Sequence, residues 1–485
     1  MLCKSCLAHF ILSRPDLVAH ILDIKKLAIE AAQKKELDET GADSEKTFNP
    51  ATPCPYNIDD RHEYTLYSGA GVLSIWNSGD HERTWGDLEA SAKSGNCHMC
   101  QTIVAMTLHA TGTGTSENQT IASTVFMDDV TCQPAWIRVD VARDGIRVAM
   151  LSFHISIQDA ASVDLGTSTP LKSPIGVLTD NESIMEFCSR AMETCLAEHE
   201  ACRTDERDPW LPTRLLDLRP SLCPKGAIRV VQTDDLLGPD RANGVQYLTL
   251  SHTWGHFNPI SLTISNLREM EEGIRFEDLP RRLQDTALQQ AYLFFSIIQD
   301  SPEDWAKESS VMDKVYRYGI CNISACNGKD STASPFAVRE PKSGAPIVFT
   351  HTYSDCAVRF SIIPDYVDLA RRHARLYSRG WVLQERLLSL RIINFARFLS
   401  WECHTCLETE TYDGSLTRQR LGFPVLPVSE RDWGFASDSS VYPTHAARWW
   451  RLVQIYTRSQ LTRQSDKLIA IAGLAQAFSA VIREP

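Results

Sequence analysis

The chain has 485 residues, with 49 basic against 61 acidic side chains for a net charge of -12, and is 43% hydrophobic and 23% charged. That length accommodates roughly two to four domains and a large buried core, and the composition is that of an ordinary globular protein rather than a fibrous or disordered one. A net negative chain repels polyanions, which argues against sequence-wide nucleic-acid binding; the densest basic run, Arg371-Arg-His-Ala-Arg375 with Arg379, suits a solvated face or a set of carboxylate partners.

In chain order, Met1-Leu-Cys-Lys-Ser-Cys6 leads only to the brief apolar patch His9-Phe-Ile-Leu12 before Arg14, Pro15 and Asp16, so no secretory signal is expected. Apolar positions from Leu17 to Ala31 recur at near-helical spacing and predict an amphipathic helix within 7–36, followed by an acidic, proline-containing linker over 34–55. Thr84, three residues ahead of Asp87, predicts a capped helix reaching Leu108, with Gly95-Asn96 as an interruption. Residues 136–141 and 146–157 alternate in period two around Asp144-Gly145, the pattern of a tight β-hairpin, and residues 181–202 read as a helix.

Beyond Ala227, short apolar runs at 228–231, 247–250, 293–298 and 320–325 alternate with helical stretches at 279–291 and 303–318. Strand-helix alternation predicts an α/β fold: a mainly parallel sheet flanked by helices, with 247–250 as an interior strand, preceded by an α+β N-terminal region containing the hairpin. The apolar run 468–482 is shorter than a bilayer span and is diluted by Gly473, Gln476 and Ser479, so a buried helix and no membrane segment are expected. Fifteen cysteines without an export signal imply reduced thiols or metal ligands in a cytoplasmic protein. The domain boundaries expected are 1–110 for the helical region and its linker, 111–205 for the hairpin and following helix, and 206–485 for the core with a helical extension.

Three motifs carry the chemistry. Tyr247-Leu-Thr-Leu-Ser-His-Thr-Trp-Gly255 ends a strand where ligands bind in open α/β sheets, so Ser251, Trp254 and Gly255 are crevice candidates; the alternative is that Trp254 plugs the core under a structural turn. Ser251 and His252 are adjacent and point to opposite faces of a strand, which disfavours a nucleophile-base pair. Asp300-Ser-Pro-Glu-Asp-Trp305 starts a helix capped by Ser301, with Trp305, Ser309, Met312 and Tyr316 on one core stripe and Glu308 beside it, a carboxylate that either faces the crevice or, as the more ordinary outcome, is solvated or salt-bridged. In Arg379-Gly-Trp-Val-Leu-Gln-Glu-Arg386, Trp381 and Glu385 share a helical face; Glu385 is either a tuned carboxylate or part of an Arg379-Glu385-Arg386 network holding the helix to the sheet. No Gly-x-Gly-x-x-Gly or Walker loop is present, against dehydrogenase or phosphotransferase roles.

The cysteines form two patterns. Cys3, Cys6, Cys97 and Cys100 make two C-x-x-C pairs of the kind that holds zinc, or else thiols packed under the first helices. Cys188, Cys195 and Cys202 fall seven apart with His199 between the last two; a single straight helix cannot close these into a tetrahedron, so a buried small-residue face is expected. Cys403-His-Thr-Cys406 has no evident partner in the sequence.

Taken in order, the segment 247–255, the segment Ile297-Ile-Gln-Asp-Ser-Pro-Glu-Asp-Trp305 running on to Tyr316, and Ser378-Arg-Gly-Trp-Val-Leu-Gln-Glu-Arg386 resemble the signature blocks of the fungal heterokaryon incompatibility (HET) domain family. Trp210-Leu-Pro-Thr-Arg-Leu-Leu-Asp217, the segment 279–285, Tyr456, Leu461 and Asp466-Lys-Leu468 also resemble its pattern, so the likeness spans about 185–480. The resemblance implies a TIR/flavodoxin-like core and an allorecognition or immune-like effector promoting incompatibility cell death, activated by a protein partner or by self-association. If the likeness extends to chemistry it further implies cleavage of NAD as substrate, with Glu385 as catalytic carboxylate; a degenerate scaffold is the remaining alternative. Two departures stand out: residues 286–296 are shorter than the family's central strand block, through loss of part of the strand or an error in the gene model, and the chain stops at Pro485 where relatives often carry a Trp-rich tail.

Overall fold

A computed structural model of the chain describes residues 74–75, 83–95, 97–111, 119–127, 134–143, 146–159, 181–203, 210–218, 228–236, 245–253, 255, 261–279, 292–294, 297–327, 330, 334–339, 341–353, 356–417 and 445–481. The helix expected within 7–36, the acidic linker, Cys3, Cys6, Trp254 and the helix expected over 279–291, apart from Leu279, lie outside them.

After β1 (Ser74–Ile75) and β2 (Arg83–Thr84), the Thr84 hydroxyl accepts the Asp87 amide at 3.2 Å and caps α1 (Trp85–Lys93), as its spacing predicts. Gly95 separates this helix from α2 (His98–Thr111). Then come β3 (Gln119–Met127), β4 (Pro134–Arg143), β5 (Ile146–Asp159), α3 (Asn181–Glu198), β6 (Arg214–Asp217), β7 (Arg229–Gln232), β8 (Tyr247–Ser251), α4 (Leu267–Glu272) and β9 (Tyr292–Phe294). The stretch expected as one helix over 303–318 is two, α5 (Pro302–Ser310) and α6 (Met312–Tyr318), broken at Val311. Ser309 and Ser310 turn their hydroxyls back onto the carbonyls of Ala306 and Lys307, at 3.3 and 2.7 Å, and this local bonding competes with helix continuation. Besides the four-residue helix Pro341–Gly344 and short 3-10 turns, the remaining elements are β10 (Cys321–Ser324), β11 (Ile347–Tyr353), β12 (Cys356–Pro364), α7 (Tyr366–His373), α8 (Gly380–Leu388), β13 (Arg391–Phe395), β14 (Leu399–Cys403), β15 (Cys406–Thr409), β16 (Tyr412–Thr417), α9 (His445–Thr457) and α10 (Ile469–Val481). Among the described residues no helix is long and apolar enough to cross a membrane.

The chain divides into two compact units, Met1–Thr169 with Pro346–Asp365, and Pro170–Ala345 with Tyr366–Pro485. In the first, the described strands make a seven-stranded antiparallel sheet ordered β1-β3-β4-β5-β12-β11, with β2 also paired to β3. The expected hairpin is present, with Arg143 opposite Ile146. Helix α2 packs on β5 and buries Met99, Ile103 and Met106, while Val139, Val141, Leu151 and Phe153 are buried in the sheet.

In the second unit the described strands form a nine-stranded sheet ordered β16-β15-β14-β13-β10-β8-β9-β6-β7. Only β13-β10-β8-β9 run parallel. Strands β14 to β16 at one edge and β6 and β7 at the other pair antiparallel. The expectation of a mainly parallel, TIR/flavodoxin-like sheet is therefore wrong: this sheet is mixed and the other antiparallel. The physical reason lies in the connections. Ala396, Arg397 and Phe398 alone separate β13 from β14, and His404 and Thr405 separate β14 from β15; such links close hairpins and cannot make the crossover that parallel strands require. Strands β13 and β14 are buried along their whole length, so they lack the in-out alternation that marks antiparallel pairing in a sequence. Strand β8 does lie in the interior, between β10 and β9.

The two faces of this sheet differ. Leu248, Cys321, Ile323, Ile393, Phe395, Leu399, Trp401 and Cys403 share an apolar core with Phe187, Cys188, Ala191 and Cys195 of α3. On the opposite face, Tyr247 packs with Met312, Val315 and Tyr316 of α6, Leu387 of α8, Leu452 of α9 and Leu474 and Phe478 of α10. Helix α10 seats closely: a Cβ on Gly473 would lie 2.5 Å from Asp313 Cβ, and the Gly473 amide donates to Gln384 Oε1 at 3.2 Å. Arg386 of α8 reaches the same face, donating to Glu402 of β14 at 2.8 Å, with both side chains buried. Replacing Glu402 by Gln leaves a buried guanidinium without its counter-charge and is expected to cost about 3 kcal/mol or more, read as a lower urea midpoint of the full chain with an unchanged slope.

Candidate functional site

Strands β8, β10 and β13 end level with one another, because Ser324 is in register with Ser251 on one side and Asn394 on the other. Period-two alternation puts Thr249, Ser251, Asn322, Ser324 and Asn394 on one face, all buried. They bond to each other across the strands: Thr249 Oγ1 donates to Asn322 Oδ1 at 3.0 Å, and Asn322 Nδ2 donates to Ser251 Oγ at 3.0 Å. Tyr377, in the turn ahead of α8, donates its hydroxyl to Asn394 Oδ1 at 2.6 Å and lies 3.1 Å from Ser324 Oγ. Burial holds this phenol well above its ordinary pKa, and the Arg386 guanidinium stands over its ring, 5.7 Å from the centroid.

Helix α8 carries Glu385 over the end of β8. Burial raises the Glu385 pKa, while the charge of Arg379 and hydrogen bonds with Ser251 and Tyr316 pull it back. The residue as a whole is half-buried, so the carboxyl is desolvated without being sealed. Tyr316 from α6 bonds both Glu385 and Ser251, and its own pKa stands well above normal, chiefly through burial and then through the Glu385 charge. Arg379 anchors this corner by donating to the His252 carbonyl just past β8. A carboxyl with a raised pKa, a neutral phenol and a fixed guanidinium are the groups needed to exchange a proton and hold an anion.

Of the residues expected here, Ser251 and Glu385 come together. Trp381, one turn before Glu385, is half-buried; its Nε1 donates to Asp466 at 3.4 Å and its ring packs on the core formed with α6, α9 and α10. Gly255 has φ +75°, and a Cβ there would meet Asp330 Cβ at 2.2 Å, so both backbone and space require glycine. Tyr316 had been expected only as part of a core stripe; Asn322, Tyr377 and Asn394 had not been singled out, though polar residues two apart at the ends of apolar runs were the available signal. Glu308 is buried rather than solvated and accepts the Thr213 hydroxyl at 2.6 Å.

The apolar face holds a second cluster. Helix α3 ends at Glu198, His199 is extended, and a single 3-10 turn, Glu200–Cys202, folds the chain back so that the Cys202 amide donates to the His199 carbonyl at 3.0 Å. Cys202 is thereby drawn toward Cys195, and Cys403 arrives from the end of β14. One donor atom from each of Cys195, His199, Cys202 and Cys403 lies within 4.8 Å of all the others, a grouping able to hold a metal ion. Cys188, Cys195 and Cys202 are all buried in this core, as expected of a small-residue face, although Cys202 lies on the 3-10 turn beyond the helix rather than on the helix itself. Cys97 and Cys100 are buried at the start of α2, and their expected companions Cys3 and Cys6 lie outside the described residues.

These features define a mixed α/β domain whose central parallel strands end in a buried polar cluster. Residues 247–385 match the family model described as Heterokaryon incompatibility protein (HET), so this segment is similar to that family. The match begins on the first residue of β8 and ends on Glu385, taking in Ser251, Tyr316, Asn322, Tyr377 and Arg379. No curated protein matches the chain, and no solved structure does.

The raised Glu385 pKa fixes the sign of a pH effect. The unfolded value is about 4.3, so the folded chain binds this proton more tightly, and stability falls as pH rises from there through the folded value. Glu385→Gln is expected to flatten that part of the profile and to be relatively more stable above it, as urea unfolding at a series of pH values would measure.

Proposed function

We propose that this chain is a fungal incompatibility effector, a cytoplasmic HET-domain protein that promotes cell death once a protein partner or self-association activates it. The observation that supports this reading most is that the family match over 247–385 is bounded by β8 and Glu385 and encloses the polar corner of Ser251, Tyr316, Arg379 and Glu385. In this reading Glu385 is the working carboxylate, and Ser251 and Gly255 border its ligand crevice.

A second reading, cleavage of NAD at its glycosidic bond, is favoured by one feature: a carboxyl with a raised pKa bonded to Tyr316 and Ser251 and held near Arg379. It no longer draws support from a flavodoxin-like sheet. Two experiments separate these readings from a degenerate scaffold. Induced expression in a filamentous fungus is expected to kill cells, and Glu385→Gln at matched protein level is expected to spare them; growth unaffected by the parent protein would defeat the effector reading, and equal killing by the variant would make Glu385 structural. Incubating purified protein with NAD tests the enzyme: release of nicotinamide that falls about 10²-fold or more in Glu385→Gln supports it, and no release by a parent protein that kills leaves an effector without this activity.

A further inference from the structure

We propose that Cys195, His199, Cys202 and Cys403 together bind a zinc ion that bolts the end of α3 to the β14–β15 hairpin. Three thiols and an imidazole are a donor set of structural tetrahedral zinc, and four protein ligands leave no position open for catalysis. The spacing fits: zinc-sulfur and zinc-nitrogen bonds of about 2.3 and 2.0 Å place a sulfur and a nitrogen about 3.5 Å apart at tetrahedral angles, and Cys403 Sγ lies 3.4 Å from His199 Nδ1. All four donor atoms fall within 4.8 Å of one another. The cysteines are buried and form no disulfide, and Cys403 and Cys406, at 3.5 Å, are well beyond a disulfide bond.

The surroundings match the charge of such a site. Arg391, opposite Cys403 in the β13–β14 ladder, is 1% exposed. Its Nε donates to Cys195 Sγ at 3.2 Å, its Nη2 to the Cys202 carbonyl at 2.6 Å and its Nη1 to the Ile320 carbonyl at 3.3 Å, so among the described residues this buried cation bonds a sulfur and neutral carbonyls. A lone buried charge is costly, and a zinc ion with three thiolates and a neutral imidazole carries one net negative charge, which Arg391 neutralises. The Cys406 amide also donates to Cys403 Sγ at 3.3 Å, a bond that favours the thiolate. Loading releases the thiol protons as zinc-sulfur bonds form, with no oxidant or reductant required.

The site is independent of the chemistry proposed on the other face of the sheet, and its test is metal content. Full-length protein purified without added metal is expected to contain zinc by elemental analysis, and Cys403→Ser is expected to lose one equivalent. The double variant Cys97→Ser, Cys100→Ser must keep that equivalent, which separates this site from the other C-x-x-C pairs. If Cys403→Ser fails to fold, the decisive measurement is the visible spectrum of cobalt-substituted protein. His199→Cys keeps four donors and is expected to shift the tetrahedral cobalt bands as a fourth sulfur enters. Zinc content untouched by Cys403→Ser, parent protein with no metal, or a cobalt spectrum unmoved by His199→Cys would each overturn the proposal.

Discussion

A sheet covered on both faces has no water available to complete its hydrogen bonds, and this constraint governs the second unit. Thr249, Ser251, Asn322, Ser324 and Asn394 stand on a buried surface, so they need partners there: the register of β8 and β10 brings Thr249, Ser251 and Asn322 within reach of one another, and Tyr377 bonds Ser324 and Asn394. A slip of one residue in any of the three strands would turn its polar side chains into the α3 core and its leucines and isoleucines into the polar row. Register, polar network and the docking of α6 and α8 are thus one decision, and Glu385 inherits its surroundings from it.

The same alternation explains how two unlike sites can share one sheet. In β14, Glu402 faces Arg386 while its neighbours Trp401 and Cys403 face the α3 core. Adjacent residues of one strand therefore serve an ion pair on one side and a sulfur cluster on the other, with a single layer of backbone between them. Arg391 and Ile392 divide in the same way.

Much of this was legible in residue order because it depends on local chemistry. The caps at Thr84 and Ser301, the hairpin of β4 and β5 and the interior position of β8 follow from spacing, side-chain type and strand ends. What stayed hidden depends on partners distant in sequence. Cys403 has no neighbour in the chain to mark it as a companion of His199, and only the end of β14 beside Arg391 supplies one. The break after Glu198 was equally obscure, since Cys195, His199 and Cys202 keep helical spacing in sequence while the backbone does not. The antiparallel edges escaped notice because full burial removes the alternation that would have announced them.

The close seat of Gly473 against Asp313 and Gln384 has a temporal consequence. Helix α10 follows every strand of the sheet in the chain, so on a ribosome α6 and α8 emerge well before the helix that covers them. Until α10 is made, the apolar sides of Leu387, Val315 and Tyr316 have no lid, and the corner around Glu385 lacks the packing that fixes the helix carrying it. A nascent chain thus reaches its finished arrangement here only once α10 has emerged, which postpones any activity of that corner until then.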